Sequence, residues 1–306
     1  MKYLSLLLMM LFVFNLSKAK SKVEILEQSD KTYLLRYENL EVVVQPSFGG
    51  RIISLKLNGK ELLVGKEVNP SSYGSTFWPS PQTVWDWPPP EILDSKPYKA
   101  KIKKEKLILT SDVDTVLGMQ FQKEISIGEK TKSVKIEYSI KNTSLENKKV
   151  AAWEITRMPK GGLAFFPKGL IEPKVKRFDP IPYEEKDNIL WYKNDETEKM
   201  TNHKLSVADG SEGWQAYAVN GLLFIKNFDD FKPENQAPDE GEIPLYVHPE
   251  LPYVEIEAQG PYETVKPNDK LKWKMKWYVR EIPDDIKLEI GNLKLVNFAR
   301  SIINSN

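Results

Sequence analysis

The stretch that decides the fold is YVEIEAQGPYETVKPNDKLKWKMKWYV, residues 253–279, because both of its ends alternate between two kinds of side chain. From Leu271 to Trp277 every second residue is apolar, and the residues between them are lysines. Successive side chains of a β-strand point to opposite faces, so this period of two indicates a strand with one buried face. The stretch therefore predicts two strands joined by a loop.

The same alternation continues through most of the chain. Asn58-Gly59 and Asn220-Gly221 each separate two such runs, and Asn-Gly is the strongest short hairpin signal because both turn residues need a positive φ. No convincing helix is predicted before about residue 292, and a short helix is predicted over 292–303. The pattern predicts an all-β fold, either a sandwich or a large closed barrel of antiparallel strands. Strands are predicted at 31–37, 40–45, 106–111, 120–127, 134–140, 148–158, 252–259 and 271–277.

The composition restricts the classes of function. Lys plus Arg is 44 and Asp plus Glu is 43, giving a net charge of +1, whereas nucleic-acid or anionic-membrane partners require a strong basic excess. The lack of cysteine excludes disulfides, thiolate metal sites and a cysteine nucleophile. The two histidines, His203 and His248, are too few for a histidine-rich metal site. We therefore expect no nucleic-acid partner, no metal and no cofactor.

The first 19 residues, MKYLSLLLMMLFVFNLSKA, have the layout of a signal peptide. Lys2 precedes an apolar run from Leu4 to Leu16, and small residues surround a cleavage point after Ala19. The run is too short to span a bilayer comfortably, and an uncleaved signal anchor is the alternative. We predict that the mature chain begins near Lys20 and is exported, to a bacterial periplasm or outside the cell, with no membrane contact after cleavage.

Three long stretches, 69–98, 167–203 and 227–244, do not alternate and are predicted to be loops. The first is too rich in aromatic residues to be left in solvent, and loops of this length in compact domains usually carry function. The third is acidic, but its spacing matches no calcium loop, which favours a solvated acidic loop. Because no linker divides the body, we predict a single domain over 23–290 and a C-terminal tail over 291–306.

Three segments resemble the galactose mutarotase-like superfamily, to which the aldose 1-epimerases belong. They are PSFGGRIISLKLNGKELLVG (46–65), KIEYSIKNTSLENKKVAAWEI (135–155) and the stretch at 253–279, in the same order and at similar spacing. The loop FWPSPQTVWDWPPPE (77–91) is similar to an uncharacterised bacterial branch of that superfamily, a domain of unknown function. The resemblance covers about residues 30–285 and implies a β-supersandwich with a sugar site on its concave face.

Only part of the epimerase mechanism carries over with this resemblance. In aldose 1-epimerases a glutamate on a late strand is the general base at the anomeric hydroxyl, and a histidine is the acid at the ring oxygen. Glu257 matches the glutamate, but the strand where the histidine is expected has the sequence AAWEITRMP and contains none. His248, just before the glutamate-bearing strand, is a weak candidate for the missing acid. Both histidines are otherwise interpreted as surface residues.

Two strands supply most of the candidate site. On 253–259, Glu255, Glu257 and Gln259 share one face, and two nearby carboxylates can act as acid and base if one pKa is raised. On the other strand, Trp153 and Arg157 share a face and Glu154 lies on the opposite one. The candidate catalytic residues are Glu257, Glu255 and His248, and the candidate substrate-binding residues are Trp153, Glu154, Arg157, Trp78, Trp85, Asp86, Trp87 and Gln259.

The expected partner is a carbohydrate. A tryptophan ring can stack on a sugar, and an arginine can hold a carboxylate through two hydrogen bonds, which would suit a uronate-type ligand. The sequence thus predicts an exported carbohydrate-binding protein. If the protein is an enzyme, the predicted activity is epimerase-like with Glu257 as general base. The alternative is a non-catalytic structural or interaction protein of the bacterial envelope with a degenerate site. The clustered carboxylates favour a working pocket, and the missing histidine favours binding alone.

Overall fold

The computed structural model describes residues 22–195 and 197–305, and most of its regular structure is β-strand. The predicted signal peptide, residues 1–19, lies outside the described residues. Within them there are two α-helices, α1 (Glu91–Asp94) and α2 (Leu293–Asn304), and two short 3₁₀ turns, Gln82–Val84 and Pro233–Asn235. The strands are β1 (Glu24–Glu27), β2 (Tyr33–Tyr37), β3 (Leu40–Gln45), β4 (Arg51–Leu57), β5 (Lys60–Glu61), β6 (Ser75–Ser80), β7 (Lys99–Lys103), β8 (Lys106–Thr110), β9 (Met119–Gly128), β10 (Ser133–Asn142), β11 (Lys148–Pro159), β12 (Leu163–Pro167), β13 (Lys174–Val175), β14 (Glu184–Lys186), β15 (Ile189–Lys193), β16 (Lys204–Ala208), β17 (Trp214–Val219), β18 (Leu222–Phe228), β19 (Ile243–Val247), β20 (Tyr253–Gln259), β21 (Glu263–Val265) and β22 (Lys270–Glu281).

The strands form two sheets whose neighbours pair antiparallel. The first sheet has the order β1-β2-β3-β4-β6-β11-β20-β19-β16-β13, with β5 on β4 and β21 on β11. The second sheet has the order β14-β15-β12-β17-β18-β22-β10-β9-β8-β7. The all-β class predicted from the sequence is confirmed, and the architecture is a sandwich of two large antiparallel sheets.

The main core lies between the two sheets. Phe77 on β6 stacks on Tyr138 of β10, with ring centroids 4.3 Å apart, and also contacts Phe121 of β9 at 4.8 Å. On β20 the apolar residues Val254 and Ile256 point into this core and are almost fully buried. Burying one large apolar side chain stabilises the fold by about 1.5–3 kcal/mol, so Phe77, Val254 and Ile256 are held in the core. The residues that alternate with them on β6 and β20 therefore face outward.

The C-terminal helix α2 covers the outer face of the second sheet. Its residues Leu295, Val296, Ala299 and Ile302 pack on aromatic side chains of that face, including Trp214. The helix begins after Asn292, whose side chain accepts a hydrogen bond from the Lys294 N–H and so satisfies a free amide of the first turn. The predicted helix is confirmed. No helix in the described part of the chain is long and apolar enough to cross a membrane.

The two Asn-Gly hairpins are confirmed. Asn58 and Gly59 have φ values of 52° and 76° and join β4 to β5, while Asn220 and Gly221 have φ values of 53° and 75° and join β17 to β18. Both central residues of each turn therefore adopt the left-handed conformation that a two-residue hairpin requires.

The prediction that 69–98, 167–203 and 227–244 are loops is wrong in part. The first contains β6 and the single turn of α1, the second contains β13, β14 and β15, and the third ends in β19. All six residues of β6 are buried because it lies between β4 and β11 in the sheet. A strand that is buried on both faces does not alternate, and Pro79 within it imitates a loop.

Candidate functional site

A cavity of about 430 Å³ opens on the outer face of the first sheet. Its floor is formed by β6, β11, β20 and β19, and its walls by the segments at 69–72, 82–87 and 176–178. The volume lies in the range of about 300–1,000 Å³ that is usual for small-ligand sites. The lining residues are Asn69, Ser71, Ser72, Trp78, Gln82, Trp87, Trp153, Lys176, Arg177, Phe178, His203, Leu205, Tyr246, His248, Tyr253, Glu255 and Glu257.

Strand β20 provides the two carboxyl groups of the floor. Tyr253, Glu255 and Glu257 line the cavity, because the intervening residues Val254 and Ile256 are held in the core on the other face. The alternation in the sequence predicted this arrangement. The side chain of Glu257 is only 2% exposed, so its chemistry is set by the protein and not by bulk water.

Glu257 has one direct partner on the neighbouring strand. The indole Nε1–H of Trp153, on β11, donates to Glu257 Oε2 at 2.6 Å. The Trp153 ring is itself fixed edge-on against Trp78, with centroids 5.3 Å apart. Trp153 therefore both lines the cavity and orients the carboxyl group at its floor.

Glu255 forms an ion pair with Arg157, its cross-strand partner on β11. Arg157 Nε lies 2.8 Å from Glu255 Oε1, and Arg157 Nη1 donates to Thr76 Oγ1 at 3.2 Å. Arg157 is 1% exposed and does not line the cavity. Its predicted role as the group that holds a substrate carboxylate is therefore not supported, because its guanidinium is buried against Glu255.

The two carboxyl groups differ in their affinity for a proton. Burial raises the pKa of Glu257 well above its ordinary value, and the charge of Glu255 raises it further, while the Trp153 N–H opposes both effects. Burial also raises the pKa of Glu255, but there the charge and hydrogen bond of Arg157 oppose it. Of the two carboxyl groups, Glu257 therefore holds a proton more strongly and Glu255 ionises more readily, a difference that suits one acid and one base.

Replacing Trp153 with Phe is expected to raise the pKa of Glu257 still further. The substitution removes the N–H that stabilises the ionised carboxylate and keeps an aromatic ring in place. A carbon-13 NMR titration of protein labelled at its glutamate carboxyls would measure the shift, with the Glu257→Gln variant assigning the resonance. Trp85→Phe is the matched control, because the Trp85 indole donates to the Pro79 carbonyl instead. An unchanged or lower Glu257 pKa in Trp153→Phe would contradict the hydrogen-bond assignment.

Both histidines line the cavity, contrary to their interpretation as surface residues. The rings of His203 and His248 lie 5.1 Å apart, and His203 Nδ1 hydrogen-bonds to the Tyr246 hydroxyl. His248 Nδ1 accepts the backbone N–H groups of Glu250 and Leu251 at 3.1 and 2.9 Å, so the neutral ring carries its hydrogen on Nε2. Burial, and then the neighbouring His203, lower the pKa of His248 and favour this neutral form.

Sequence reasoning missed His203 for an identifiable reason. His203 lies two residues before Leu205 of β16, and His248 lies two residues after Tyr246 of β19, so each shares the cavity face with its neighbour. The strands β16 and β19 were not predicted. The alternation in KLSVA at 204–208 was the signal that would have placed His203 on this face.

The tryptophan-proline loop contributes two of its three predicted tryptophans to the cavity. Trp78 and Trp87 line it, whereas Trp85 packs behind Trp153 and donates its indole N–H to the Pro79 carbonyl at 2.8 Å. Asp86 is exposed and does not line the cavity. Its carboxylate accepts the backbone N–H of Trp87 at 2.8 Å, which shapes the loop.

Glu154 and Gln259, two predicted binding residues, do not reach the cavity. Glu154 alternates with Trp153 and therefore points between the sheets, where Lys226 of β18 neutralises it. Gln259 is buried between Ser80 and Glu240, to which it is hydrogen-bonded at 2.6 and 3.2 Å. Both side chains are already paired within the protein.

The acidic stretch at 227–244 is only in part the solvated loop that was predicted, because Asp229, Asp230 and Asp239 are exposed but two glutamates are buried. Glu240 is 3% exposed and pairs with Lys176 at 2.5 Å, while the fully buried Glu242 accepts the Gly210 N–H at 2.9 Å. Burial raises the pKa of Glu242 to about 8. Across residues 22–195 and 197–305, no group of three or more histidine, aspartate or glutamate side chains is arranged to hold a metal ion.

Solved structures show which fold this chain shares. A TPR-domain containing protein from Parabacteroides distasonis superimposes with a TM-score of 0.60 and 18% identity over 85% of this chain and 48% of that one. Galactose mutarotase-like proteins from Lactobacillus casei and Clostridium acetobutylicum give TM-scores of 0.54 and 0.52. Their identities are 11% and 14%, over 85% and 86% of this chain and 100% and 98% of theirs. The chain thus spans about half the length of the Parabacteroides protein, and its fold is galactose mutarotase-like.

The family is narrower than this fold class. Residues 79–280 match the model of DUF4380, a domain of unknown function, and this match covers more than half of the chain. The chain belongs to the DUF4380 family. No curated protein matches it.

Proposed function

We propose that the cavity binds a sugar and that Glu257 and Glu255 transfer protons at its ring oxygen and its anomeric hydroxyl, as in an aldose 1-epimerase. The observation that carries the proposal is the pair of carboxyl groups on one strand, with Trp153 hydrogen-bonded to Glu257 and Arg157 ion-paired with Glu255. Interacting carboxyls of which one holds its proton more strongly than the other are characteristic of acid–base sites. The galactose mutarotase-like fold supports a sugar as the ligand.

The raised pKa modifies the role that the sequence predicted for Glu257. Ring opening of a sugar needs an acid at the ring oxygen and a base at the anomeric hydroxyl. Because burial and the charge of Glu255 raise the pKa of Glu257, we assign the proton to Glu257 at the start of the cycle, so that it acts first as the acid and becomes a base only after giving that proton up. Glu255 accepts the hydroxyl proton, and the neutral His248, whose ring centroid lies 5.2 Å from that of Tyr253, offers its Nε2–H as a hydrogen-bond donor.

A non-catalytic sugar-binding protein is the second candidate, and one observation favours it. Glu257 and Glu255 each already have a protein partner, Trp153 and Arg157, so both could serve only to accept hydroxyl hydrogen bonds. In that case the aromatic walls supply affinity by stacking and the carboxyls supply orientation.

Anomer-exchange NMR on the purified protein separates the two candidates. The panel contains glucose, galactose, mannose, xylose, glucuronate and galacturonate, observed together with ligand-detected binding. Faster exchange of at least one sugar over the buffer rate is the expected result. Binding without faster exchange supports the non-catalytic candidate, and neither binding nor exchange across the panel would contradict sugar recognition.

We also propose that the protein is exported, on the strength of Lys2, the apolar run from Leu4 to Leu16 and the small residues near Ala19. Intact-mass analysis of protein isolated from its native host is expected to give a chain beginning near Lys20. A mass that still includes residues 1–19 would support the uncleaved anchor instead.

A further inference from the structure

Trp87 stands at the mouth of the cavity. It lines the cavity and is also 57% exposed, whereas every other tryptophan is buried or half-buried, all eight lying within the described residues. A side chain with both properties faces the cavity on one side and solvent on the other. An exposed aromatic ring at the rim of a binding cavity marks a contact surface that is left uncovered in the free protein.

The loop holds the Trp87 ring in place. The ring packs edge-on against Trp78 of β6, with centroids 6.0 Å apart, and the Asp86 carboxylate accepts the Trp87 backbone N–H at 2.8 Å. Trp85, two residues earlier, anchors the same loop because its indole N–H donates to the Pro79 carbonyl. A ring that is already positioned loses little conformational freedom when a ligand stacks on it.

Trp87 is separated from the carboxyl pair by other aromatic rings. Trp87 contacts Trp78, Trp78 contacts Trp153 at 5.3 Å, and it is Trp153 that donates to Glu257. A sugar ring seated against Trp153 and Glu257 would therefore leave the outer face of Trp87 free. The floor and the mouth of the cavity form two separate contact regions.

The opposite rim is also polar and exposed. Arg177 lines the cavity, is exposed to solvent and lies beside Phe178. The two rims meet at Glu240, whose Oε1 accepts the Gln82 backbone N–H at 3.2 Å and lies 2.5 Å from Lys176 Nζ. Trp87 and Arg177 therefore border the same mouth of the cavity.

We propose that the ligand is an oligosaccharide that enters with its reducing end. The reducing-end unit occupies the floor at Glu257 and Trp153, because only that unit has a free anomeric hydroxyl. The next unit stacks on Trp87, and Arg177 donates hydrogen bonds to its hydroxyls. This inference rests on the proposed function, because it adds an outer subsite to the same cavity.

A chain-length series tests this inference. The probes are glucose, galactose and mannose, each with its β-1,4-linked disaccharide and trisaccharide, together with maltose and maltotriose, titrated into the purified protein. The disaccharide of at least one series is expected to bind about tenfold more tightly than its monosaccharide, on the scale of one aromatic contact. Trp87→Ala should reduce that ratio to less than twofold. Val84→Ala, at another exposed apolar residue of the same loop, should preserve it.

Each other outcome overturns a definite part of the account. Equal affinity for monosaccharide and disaccharide in the unmodified protein removes the outer subsite but leaves the proposed function standing. A tenfold ratio that survives in Trp87→Ala removes Trp87 from that subsite. Loss of the ratio in Val84→Ala as well would show a general disturbance of the loop and would contradict a specific stacking role. Failure of every probe to bind overturns the proposed function and this inference together.

Discussion

The Glu257→Gln variant is expected to lose about 10²- to 10⁴-fold of its anomer-exchange rate, the usual contribution of one general acid–base group. Glutamine has the size of glutamate and can still accept the Trp153 N–H, but it cannot give up or take up the proton. Sugar affinity should change much less than turnover, since the amide still offers hydrogen bonds. The measurement is exchange NMR on whichever sugar of the panel the unmodified protein turns over.

Glu263→Gln provides the matched control for this experiment. Glu263 lies on β21 and is exposed, so the same chemical change there should leave the exchange rate unaltered. Turnover that survives intact in Glu257→Gln would show that another group carries the proton. A comparable loss in both variants would show that the effect does not come from the cavity.

The second large effect concerns the ion pair beneath the site. Glu154 on β11 and Lys226 on β18 are both fully buried and join the two sheets, and Lys226 Nζ also donates to the backbone carbonyl of Ile256. Ile256 lies between Glu255 and Glu257, so this contact holds the strand that carries both carboxyls. Lys226→Met should lower the free energy of unfolding by about 3–5 kcal/mol, because it leaves the Glu154 charge buried without its cationic partner.

A double variant tests this explanation. Glu154→Gln in the Lys226→Met background removes the unpaired charge and keeps an acceptor for the hydroxyls of Ser75 and Thr156, each 2.6 Å from Glu154 Oε1. Most of the lost stability should return, as measured by urea unfolding monitored through tryptophan fluorescence. A double variant that is as unstable as Lys226→Met would show that the loss comes from packing around the lysine stem and not from the buried charge.

The fold could be predicted from the sequence because its main signals are local. The alternation from Leu271 to Trp277 and the Asn58-Gly59 turn each depend on a few consecutive residues, and both appear in the structure as predicted. Strand β6 could not be predicted in this way, since its burial on both faces depends on β4 and β11, which lie elsewhere in the chain.

The site was predictable only where it lies on strands that had been recognised. The orientation of Glu255 and Glu257 followed from the alternation of β20, and the face of Trp153 from that of β11. The pairing of Arg157 with Glu255 depends on the register between two strands, which the sequence does not encode locally. His203 required the unrecognised strand β16 to be placed beside β19.

The indole N–H resonance of Trp153 gives the most direct test of the central claim, that this cavity is a sugar site. Its N–H donates to Glu257 at the cavity floor, so a sugar bound there must change its surroundings. In protein labelled with nitrogen-15 tryptophan, with Trp153→Phe for assignment, titration with the sugar panel is predicted to shift this resonance. The indole signal of Trp214, which lies under α2 on the second sheet, should stay unchanged. A Trp153 resonance that no sugar of the panel moves, at concentrations that saturate binding or reach the solubility limit, would contradict the account.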